Sequence, residues 1–142
     1  MAEATKTMEM SVSRDQLWKT ITDYERYAEF VDGVKTVNVL SRSGNSARVQ
    51  YNIELLGKTI SYTLDHVESG VGQMTWTLVE SNVMKANDGG WDVKDLGDGK
   101  SSVTYRLALD FKIFVPGMIL NGLVKNMLPR MMESFERQAK NG

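Results

Sequence analysis

Alternating apolar and polar residues occupy most of the chain between Thr5 and Ile113. A period of two residues is typical of strands that bury one face. The first run covers residues 5–12, and six more follow Gly33, with turns such as Gly44-Asn45 and Asp98-Gly99 between neighbours. Short turns favour antiparallel pairing. The pattern therefore predicts a sheet of about seven antiparallel strands.

One irregularity lies in the sixth run, at Gly89 and Gly90. Met84 precedes the two glycines in one phase of the alternation, and Trp91 follows them in the other. An extra residue in one strand of an antiparallel pair shifts the phase in this way, and glycine is common at such positions. We therefore expect a β-bulge at the two glycines.

Helical periodicity occurs after the first strand and at the end of the chain. Ser13 and Gln16 have the spacing of a capping box, and Asp23 is placed to cap a second short helix that Gly33 ends. Beyond residue 117 the period stays helical for about 24 residues, which Pro129 should kink. The apolar face of this helix comprises Leu120, Val124, Met127, Leu128, Met131 and Phe135, flanked by Ile119, Leu123 and Met132.

The predicted sheet is too wide for one helix to cover. Seven strands span about 34 Å, whereas a helix covers a strip of about 10–12 Å. The sheet must therefore curl around the last helix, with the short helices closing one end. This predicts an α+β fold in one domain, residues 1–142, with a curved antiparallel sheet of about seven strands wrapped around a long C-terminal helix. The gap between the sheet and the helix is a candidate cavity.

The inward positions of this fold combine methionines, aromatic residues and a histidine. Methionine is flexible and polarisable, which suits a surface that accepts varied partners. Apolar cavities with a few polar groups are common ligand sites. Simple filling of the core is the alternative for each single methionine. The predicted ligand-binding positions are Met10, Tyr51, Tyr62, Leu64, His66, Met74, Trp76, Met84, Trp91, Tyr105, Leu107, Met127 and Met131.

His66 is the single histidine of the chain, and it continues the inward phase of Tyr62 and Leu64. Its functional interpretation is a proton donor or acceptor toward a ligand carbonyl. The alternative is a histidine at the rim or one satisfied within the core. A Ser-His-Asp triad would have to use His66, and the chain has no G-x-S-x-G motif.

Composition and charge exclude several other classes of protein. The chain has 142 residues, no cysteine and a net charge of -1, with 17 Lys and Arg against 18 Asp and Glu. A protein held on nucleic acid by counterion release needs a basic surface, so no nucleic-acid partner is expected. No run of about twenty apolar residues and no secretory signal pattern occurs, which favours a cytoplasmic protein.

Metal sites and cofactor sites are also not expected. One histidine without cysteine is too few for the usual zinc sites. The acidic positions Asp88, Asp92, Asp95 and Asp98 do not fit the frame of a calcium loop, because Lys94 and Leu96 stand where oxygen ligands are needed. The sequence thus contains no metal site, no cofactor motif and no set of catalytic residues.

An apolar segment links the last strand to the last helix. The strand phase points Ile113 inward and Phe114 outward, while Pro116 and Gly117 allow a sharp change of direction. Contiguous exposed apolar surface usually marks an interaction site. We expect a gate over the cavity mouth that contacts a membrane transiently, formed by Phe114, Val115, Pro116, Met118 and Ile119. The alternative is that Phe114 and Ile119 tuck under the short helices and complete the core.

Four segments carry a family resemblance: residues 11–31, 56–67 and 89–111, and a Val115-Pro116-led helix that ends in MMESFERQA. Together they resemble the polyketide cyclase/dehydrase and lipid-transport (START-like, SRPBCC) superfamily, and within it the coenzyme-Q-binding START-domain proteins. The resemblance runs from about Thr5 to Lys140. It implies the helix-grip fold with an internal apolar cavity. The most specific positions are Trp18, Asp23, Tyr27, Phe30, Gly90-Trp91, Asp98-Gly99 and Val115-Pro116.

Three functions are compatible with this fold. The first is a non-enzymatic protein that binds and shields or carries a hydrophobic small molecule, such as a quinone, a lipid or a polyketide-like aromatic. The second is an aromatase/cyclase-type enzyme, whose acid and base groups could only be His66 and the tyrosines. The third is an interaction protein similar to the ribosome-associated toxins, which the pI near 5.8 disfavours. Polarity of the cavity separates the first two, and salt-sensitive co-sedimentation with ribosomes tests the third.

Overall fold

The computed structural model describes residues 2–55 and 57–142; the side chains of Leu123 and Val124, both predicted on the last helix, lie outside the described residues. Two short helical segments follow the first strand: α1 (Arg14–Ile21), then a 3-10 turn (Tyr24–Arg26) that leads into α2 (Tyr27–Phe30). The last helix is α3 (Gly117–Asn141). The seven strands are β1 (Ala2–Met10), β2 (Val34–Ser43), β3 (Ser46–Leu55), β4 (Lys58–Gly70), β5 (Gln73–Ser81), β6 (Met84–Gly97) and β7 (Lys100–Phe111).

The strands form one sheet in the order β1-β7-β6-β5-β4-β3-β2, and every neighbouring pair is antiparallel. Consecutive strands from β2 to β7 are hairpin partners, while β1 joins the free edge of β7. The sheet curves around α3, so the predicted α+β helix-grip architecture is confirmed. At the β6–β7 turn, Asp98 and Gly99 have φ of 56° and 71°, the left-handed pair that a two-residue type I′ hairpin requires.

The break in the alternation of β6 lies four residues before the first of the two glycines at which it was predicted. The register shifts between Met84 and Ala86, where Lys85 is the extra residue. Gly89 and Gly90 pair regularly with Leu107 and Arg106, so the bulge predicted at these glycines is wrong. A phase change in the alternation shows that a residue is inserted but does not locate it. Lys85 is exposed and Ala86 is small, so neither residue marks which face of the strand is buried.

The segments that lead into the helices differ from the prediction in two details, at Ile113 before α3 and at Asp23 before the 3-10 turn. β7 ends at Phe111, which pairs with Met84, the first residue of β6, and only one further backbone hydrogen bond among the described residues, from the Lys112 N–H to the Val83 carbonyl, follows it. Ile113 follows a bend and is 42% exposed, so it does not point inward. Asp23 occupies the N-cap position of the 3-10 turn as predicted but makes no side-chain hydrogen bond to it, whereas Ser13 accepts from the Gln16 N–H at the start of α1.

The two halves of α3 are held very differently. From Leu128 onward its inner face is buried in the main core through Met132, Phe135 and Ala139. Two hydrogen bonds of 2.7 Å fix this half to the start of α1: the Ser11 N–H donates to Glu136 Oε2, and Gln16 Nε2 donates to the carbonyl oxygen of Ala139. Before Pro129 the described side chains of the helix are mostly exposed, and Leu120 packs on a smaller core of Ala2, Ile60, Met84 and Leu109.

The hydroxyl of Ser101 provides a test of this packing. Ser101 is fully buried and its Oγ has no hydrogen-bond partner among the described residues. An unsatisfied buried hydroxyl carries a desolvation cost of about 1–3 kcal/mol. We expect Ser101→Ala to raise the free energy of unfolding by about 1 kcal/mol in urea denaturation.

Ser81→Ala is the matched control, because the Ser81 hydroxyl donates to the Ser61 carbonyl at 2.8 Å and accepts from the Met84 N–H at 3.0 Å. This substitution should destabilise the fold by about 1–2 kcal/mol. Two variants that shift stability in the same direction would contradict the assignment of Ser101 as an unsatisfied group.

Candidate functional site

A cavity of about 230 Å³ lies between the concave face of the sheet and α3 and is partly open to solvent. Its lining is predominantly apolar and aromatic. Eleven of the thirteen predicted positions lie around it: Tyr51, Tyr62, Leu64, His66, Trp76, Met84, Trp91, Tyr105, Leu107, Met127 and Met131. The alternation of β3 to β7 and the apolar face of α3 thus converge on one space.

Met10 and Met74 do not line the cavity, contrary to the prediction. Both are buried in the main core, with 0% and 1% of their surface exposed. Met10 is the last residue of β1, beside the buried face of α1, where helix packing closes that end of the sheet. Met74 lies behind His66, with its sulfur 3.2 Å from Nδ1 of the imidazole. Inward phase alone does not distinguish a cavity wall from the packed end of the sheet.

Several lining residues were not among the predicted positions. Tyr27 and Phe135 belong to apolar helix faces that the sequence shows, and their rings lie 5.0 Å apart. Asn87 is the least expected member, because the bulge at Lys85 turns this polar residue toward the cavity. The remaining unpredicted lining residues are Val31, Asp32, Gly33, Val34, Ile53, Glu54, Leu55, Leu109 and Leu128.

The inner polar group of the cavity is a pair formed by His66 and Tyr51. His66 is 3% exposed, and its Nε2 lies 2.8 Å from the Tyr51 hydroxyl. Burial lowers the pKa of His66 from its usual 6.5 to about 4. The same desolvation raises the pKa of Tyr51 well above its usual value. Both groups are therefore neutral at physiological pH.

A charged cluster closes the space behind this pair. Arg42 contacts both carboxylate oxygens of Glu68 at 2.9 Å, and the Tyr24 hydroxyl donates to Glu68 Oε2 at 2.7 Å. The Tyr24 ring in turn packs on His66, with ring centroids 4.6 Å apart. This arrangement ties the 3-10 turn to β2 and β4, so the imidazole is held between a fixed ring and the cavity.

Two further polar groups of the lining are phenols. Burial raises the pKa of both Tyr62 and Tyr105, so each hydroxyl stays protonated. Among the described residues, no side chain forms a hydrogen bond with either hydroxyl. A phenol on an apolar wall can both donate to and accept from a ligand.

Trp76 is positioned in the cavity wall by Asn87 and Gly89. Its indole N–H donates to Asn87 Oδ1 at 3.0 Å. A Cβ on Gly89 would lie 2.5 Å from the Trp76 ring and 2.2 Å from the Arg106 carbonyl oxygen. Gly89 is therefore required by the close approach of the indole rather than by a bulge.

The opening of the cavity lies at the end of the sheet where β3 ends and β4 begins. Exposed lining residues at this end come from three segments: Asp32 before β2, Glu54 of β3 and Met127 of α3. The β7–α3 junction lies at the same end, since Phe111 pairs with Met84 at the start of β6. The opening is thus bordered by the less firmly held half of α3.

The predicted gate residues lie beside this opening without lining the cavity. Phe114 and Met118 are 87% and 86% exposed, and Ile119 is 45% exposed. Pro116 is exposed and Val115 is half-buried. The alternative in which Phe114 and Ile119 tuck under the short helices is wrong, because the bend after Phe111 carries Phe114 into solvent.

Metal and membrane signatures are absent from the described part of the chain. Residues 2–55 and 57–142 contain no group of three or more His, Asp or Glu side chains arranged to hold a metal ion. No helix within those residues has both the length and the apolar composition needed to cross a membrane.

The buried imidazole predicts a pH dependence of stability. Unfolded His66 binds a proton below about pH 6.5, whereas the native site resists it until about pH 4. His66 therefore costs the native state nothing above pH 6.5. As the pH drops toward 4, the free energy of unfolding falls by about 3 kcal/mol because of this group. Urea denaturation of the wild type and of His66→Gln at several pH values measures this difference. If the difference in free energy of unfolding between the two proteins did not change with pH, the assignment of His66 as a buried, neutral imidazole would be refuted.

Comparison with known proteins agrees with this architecture. The START superfamily protein from Mycobacterium smegmatis has a TM-score of 0.88 at 18% sequence identity, with 98% of this chain and 97% of that chain covered. The Zhui aromatase/cyclase from Streptomyces sp. R1128 has a TM-score of 0.87 at 12% identity, with 98% and 93% covered. At these identities the likeness shows a shared fold.

Among sequence relatives, the ribosome association toxin RatA of Vibrio cholerae serotype O1 is 22% identical over 140 residues, which is 99% of this chain and 96% of the relative. The family model described as "Polyketide cyclase / dehydrase and lipid transport" matches residues 10–136. That match covers most of the chain and includes β2 to β7 and most of α3. The chain belongs to the polyketide cyclase/dehydrase and lipid transport family.

Proposed function

We propose that this protein binds a hydrophobic small molecule in the cavity and shields or carries it without transforming it. The observation that carries this proposal is a mainly apolar cavity whose buried titratable groups, His66 and four tyrosines, are all held neutral by burial. Such a lining offers hydrogen bonds for orientation and apolar surface for affinity. The charged lining residues, Asp32 and Glu54, are exposed at the opening, so the interior of the cavity offers no charge for an ionic ligand.

The size of the cavity bears on the ligand. An apolar cavity of about 150 Å³ binds benzene, so 230 Å³ has room for about two fused rings. A longer molecule would place its remainder through the opening. Quinones with a tail, lipids and polyketide-like aromatics all have this shape, and the resemblance to coenzyme-Q-binding proteins makes an isoprenoid quinone, in its oxidised or its reduced quinol form, our first candidate.

An aromatase/cyclase activity is less well supported. General acid and base catalysis works best when the pKa of the group lies near the operating pH. Here the pKa of His66 falls to about 4, and those of Tyr51, Tyr62 and Tyr105 rise. All four groups thus move away from neutrality, so each would be a weak acid or a weak base at pH 7.

A ribosome-associated role is supported by the 22% identity to the ribosome association toxin along nearly the whole chain. The net charge of -1 provides no general attraction to RNA. The cavity would also have no part in such a contact. We therefore place this role behind ligand binding.

Entry of the ligand is proposed at the exposed half of α3. Phe114 and Met118 form an apolar surface beside the opening, and the exposed Lys125 lies on the same half of the helix. Pro129 lacks the N–H that would bond the Lys125 carbonyl, which weakens the helix where its anchored half begins. We propose that the Phe114–Ile119 segment contacts a membrane transiently while the ligand crosses. The location expected for the protein is the cytoplasm.

Ligand binding should be visible as thermal stabilisation. A ligand that binds only the native state at 100 times its Kd adds about 2.7 kcal/mol, so isoprenoid quinones, fatty acids or aromatic polyketides should raise Tm by several degrees. Leu107→Trp fills the cavity and should abolish the shift. Leu96→Trp, at a side chain that is 53% exposed, is the matched control and should keep it. If none of these ligands raises the Tm of the wild type or of the Leu96→Trp control, the proposal is contradicted.

Charged residues at the β7–α3 junction should slow ligand uptake from membranes. On anionic vesicles the double variant Phe114→Glu, Met118→Glu should acquire ligand about tenfold more slowly, since each charge near the surface is worth about 1 kcal/mol. Its affinity for ligand added without vesicles should not change. Leu40→Glu with Val71→Glu alters two other exposed apolar residues, 53% and 54% exposed, and serves as the control. Equal slowing in both double variants would rule out a specific gate.

A further inference from the structure

The two nitrogens of His66 face partners of different chemistry. Nδ1 lies 3.2 Å from the Met74 sulfur, and Nε2 lies 2.8 Å from the Tyr51 hydroxyl. A thioether has no hydrogen and can only accept a hydrogen bond. Nδ1 therefore carries the hydrogen, because an unprotonated Nδ1 would direct its lone pair at the lone pairs of the sulfur.

This assignment fixes the direction of the hydrogen bond at Tyr51. The imidazole is neutral at physiological pH and has a single N–H. With that hydrogen on Nδ1, Nε2 is an acceptor, and the Tyr51 hydroxyl must donate to it. Tyr24 does not compete for the sulfur: its one hydrogen goes to Glu68 Oε2 at 2.7 Å, while its oxygen is 4.0 Å from the sulfur.

The consequence concerns what the cavity recognises. A phenol has one hydrogen, so the Tyr51 oxygen has only lone pairs left for a ligand. We infer that the cavity selects ligands that donate a hydrogen bond to Tyr51 Oη, such as phenol- or quinol-type rings, over analogues whose oxygens are all carbonyls or ethers. This inference rests on the proposed function, because it names the chemistry of the molecule bound at the same site.

Met74 is then a positioning residue that acts through the imidazole. Its sulfur holds the hydrogen on Nδ1 and thereby keeps the Tyr51 hydroxyl turned away from the ligand. The phenols Tyr62 and Tyr105 differ from Tyr51, since no described side chain fixes their hydrogens. They can turn to match either a donor or an acceptor and therefore do not discriminate between the two.

The tautomer can be observed directly, because His66 is the single histidine of the chain. A long-range ¹H–¹⁵N spectrum of the uniformly labelled wild type at pH 7 should show a protonated Nδ1 and an unprotonated Nε2. In Met74→Leu, a substitution of similar volume, the hydrogen should move toward Nε2, which can donate to Tyr51. A wild-type spectrum with the hydrogen on Nε2 would overturn the inference.

Ligand selection is tested with three two-ring probes: naphthalene, 2-naphthol and 2-methoxynaphthalene. The wild type should bind 2-naphthol about fivefold more tightly than the methyl ether, the value of one neutral hydrogen bond. Tyr51→Phe and Met74→Leu should each remove most of that preference while still binding naphthalene. Tyr62→Phe is the matched control and should retain the preference.

The outcomes distinguish failure of donor selection by Tyr51 from failure of ligand binding in the cavity. If the wild type binds naphthalene but does not distinguish the naphthol from its ether, donor selection is wrong and ligand binding stands. If Tyr62→Phe loses the preference as fully as Tyr51→Phe does, the selecting group is not Tyr51 and the inference fails. If none of the probes binds to the wild type, both the inference and the proposed function are overturned.

Discussion

The structure depends on one constraint, which is the burial of a wide apolar sheet face by a single helix. Seven antiparallel strands expose far more concave surface than α3 can contact along its length. Curvature brings the outer strands toward the helix, and aromatic rings fill much of the distance, as in the contacts of Phe135 with Tyr27, Phe30 and Trp91. The space that remains is the cavity, so the fold and the binding site have the same physical origin.

The same constraint explains why the cavity opens at one end. The short helices α1 and α2 follow β1 and pack with the C-terminal half of α3, which fills that end of the sheet with side chains such as Leu17, Ile21 and Met132. At the other end, Leu120 is the described side chain through which the first half of α3 packs on the smaller core. Stability is therefore concentrated away from the opening. Segments with few buried contacts are the ones that open most readily.

Much of this architecture follows from the sequence, because strand alternation and helix periodicity are long and regular here. The wrong details of β6, β7 and the cavity lining share a cause: each depends on how elements distant in the sequence pair and pack. Ile113 continues the alternation of β7 but has no partner beyond Met84, and the phase change of β6 arises at Lys85 rather than at the glycines. Met10 and Met74 have the inward phase of lining residues and lie in the packed core. Three-dimensional packing, not periodicity, decides between these positions.

His66 and three of the tyrosines at the site could be named from the sequence, but their chemistry could not. His66 and the tyrosines were visible as inward residues, yet their protonation depends on how deeply they are buried and on what lies behind them. A sulfur behind the imidazole accepts the Nδ1–H and leaves Nε2 as an acceptor. A carbonyl oxygen or a carboxylate in that place would bind the Nδ1–H more strongly, and a carboxylate would also favour the imidazolium. Burial thus keeps the pair neutral, and the methionine orients it. A neutral, oriented pair can recognise a ligand through hydrogen bonds, and it neither gives up nor takes up a proton easily near pH 7.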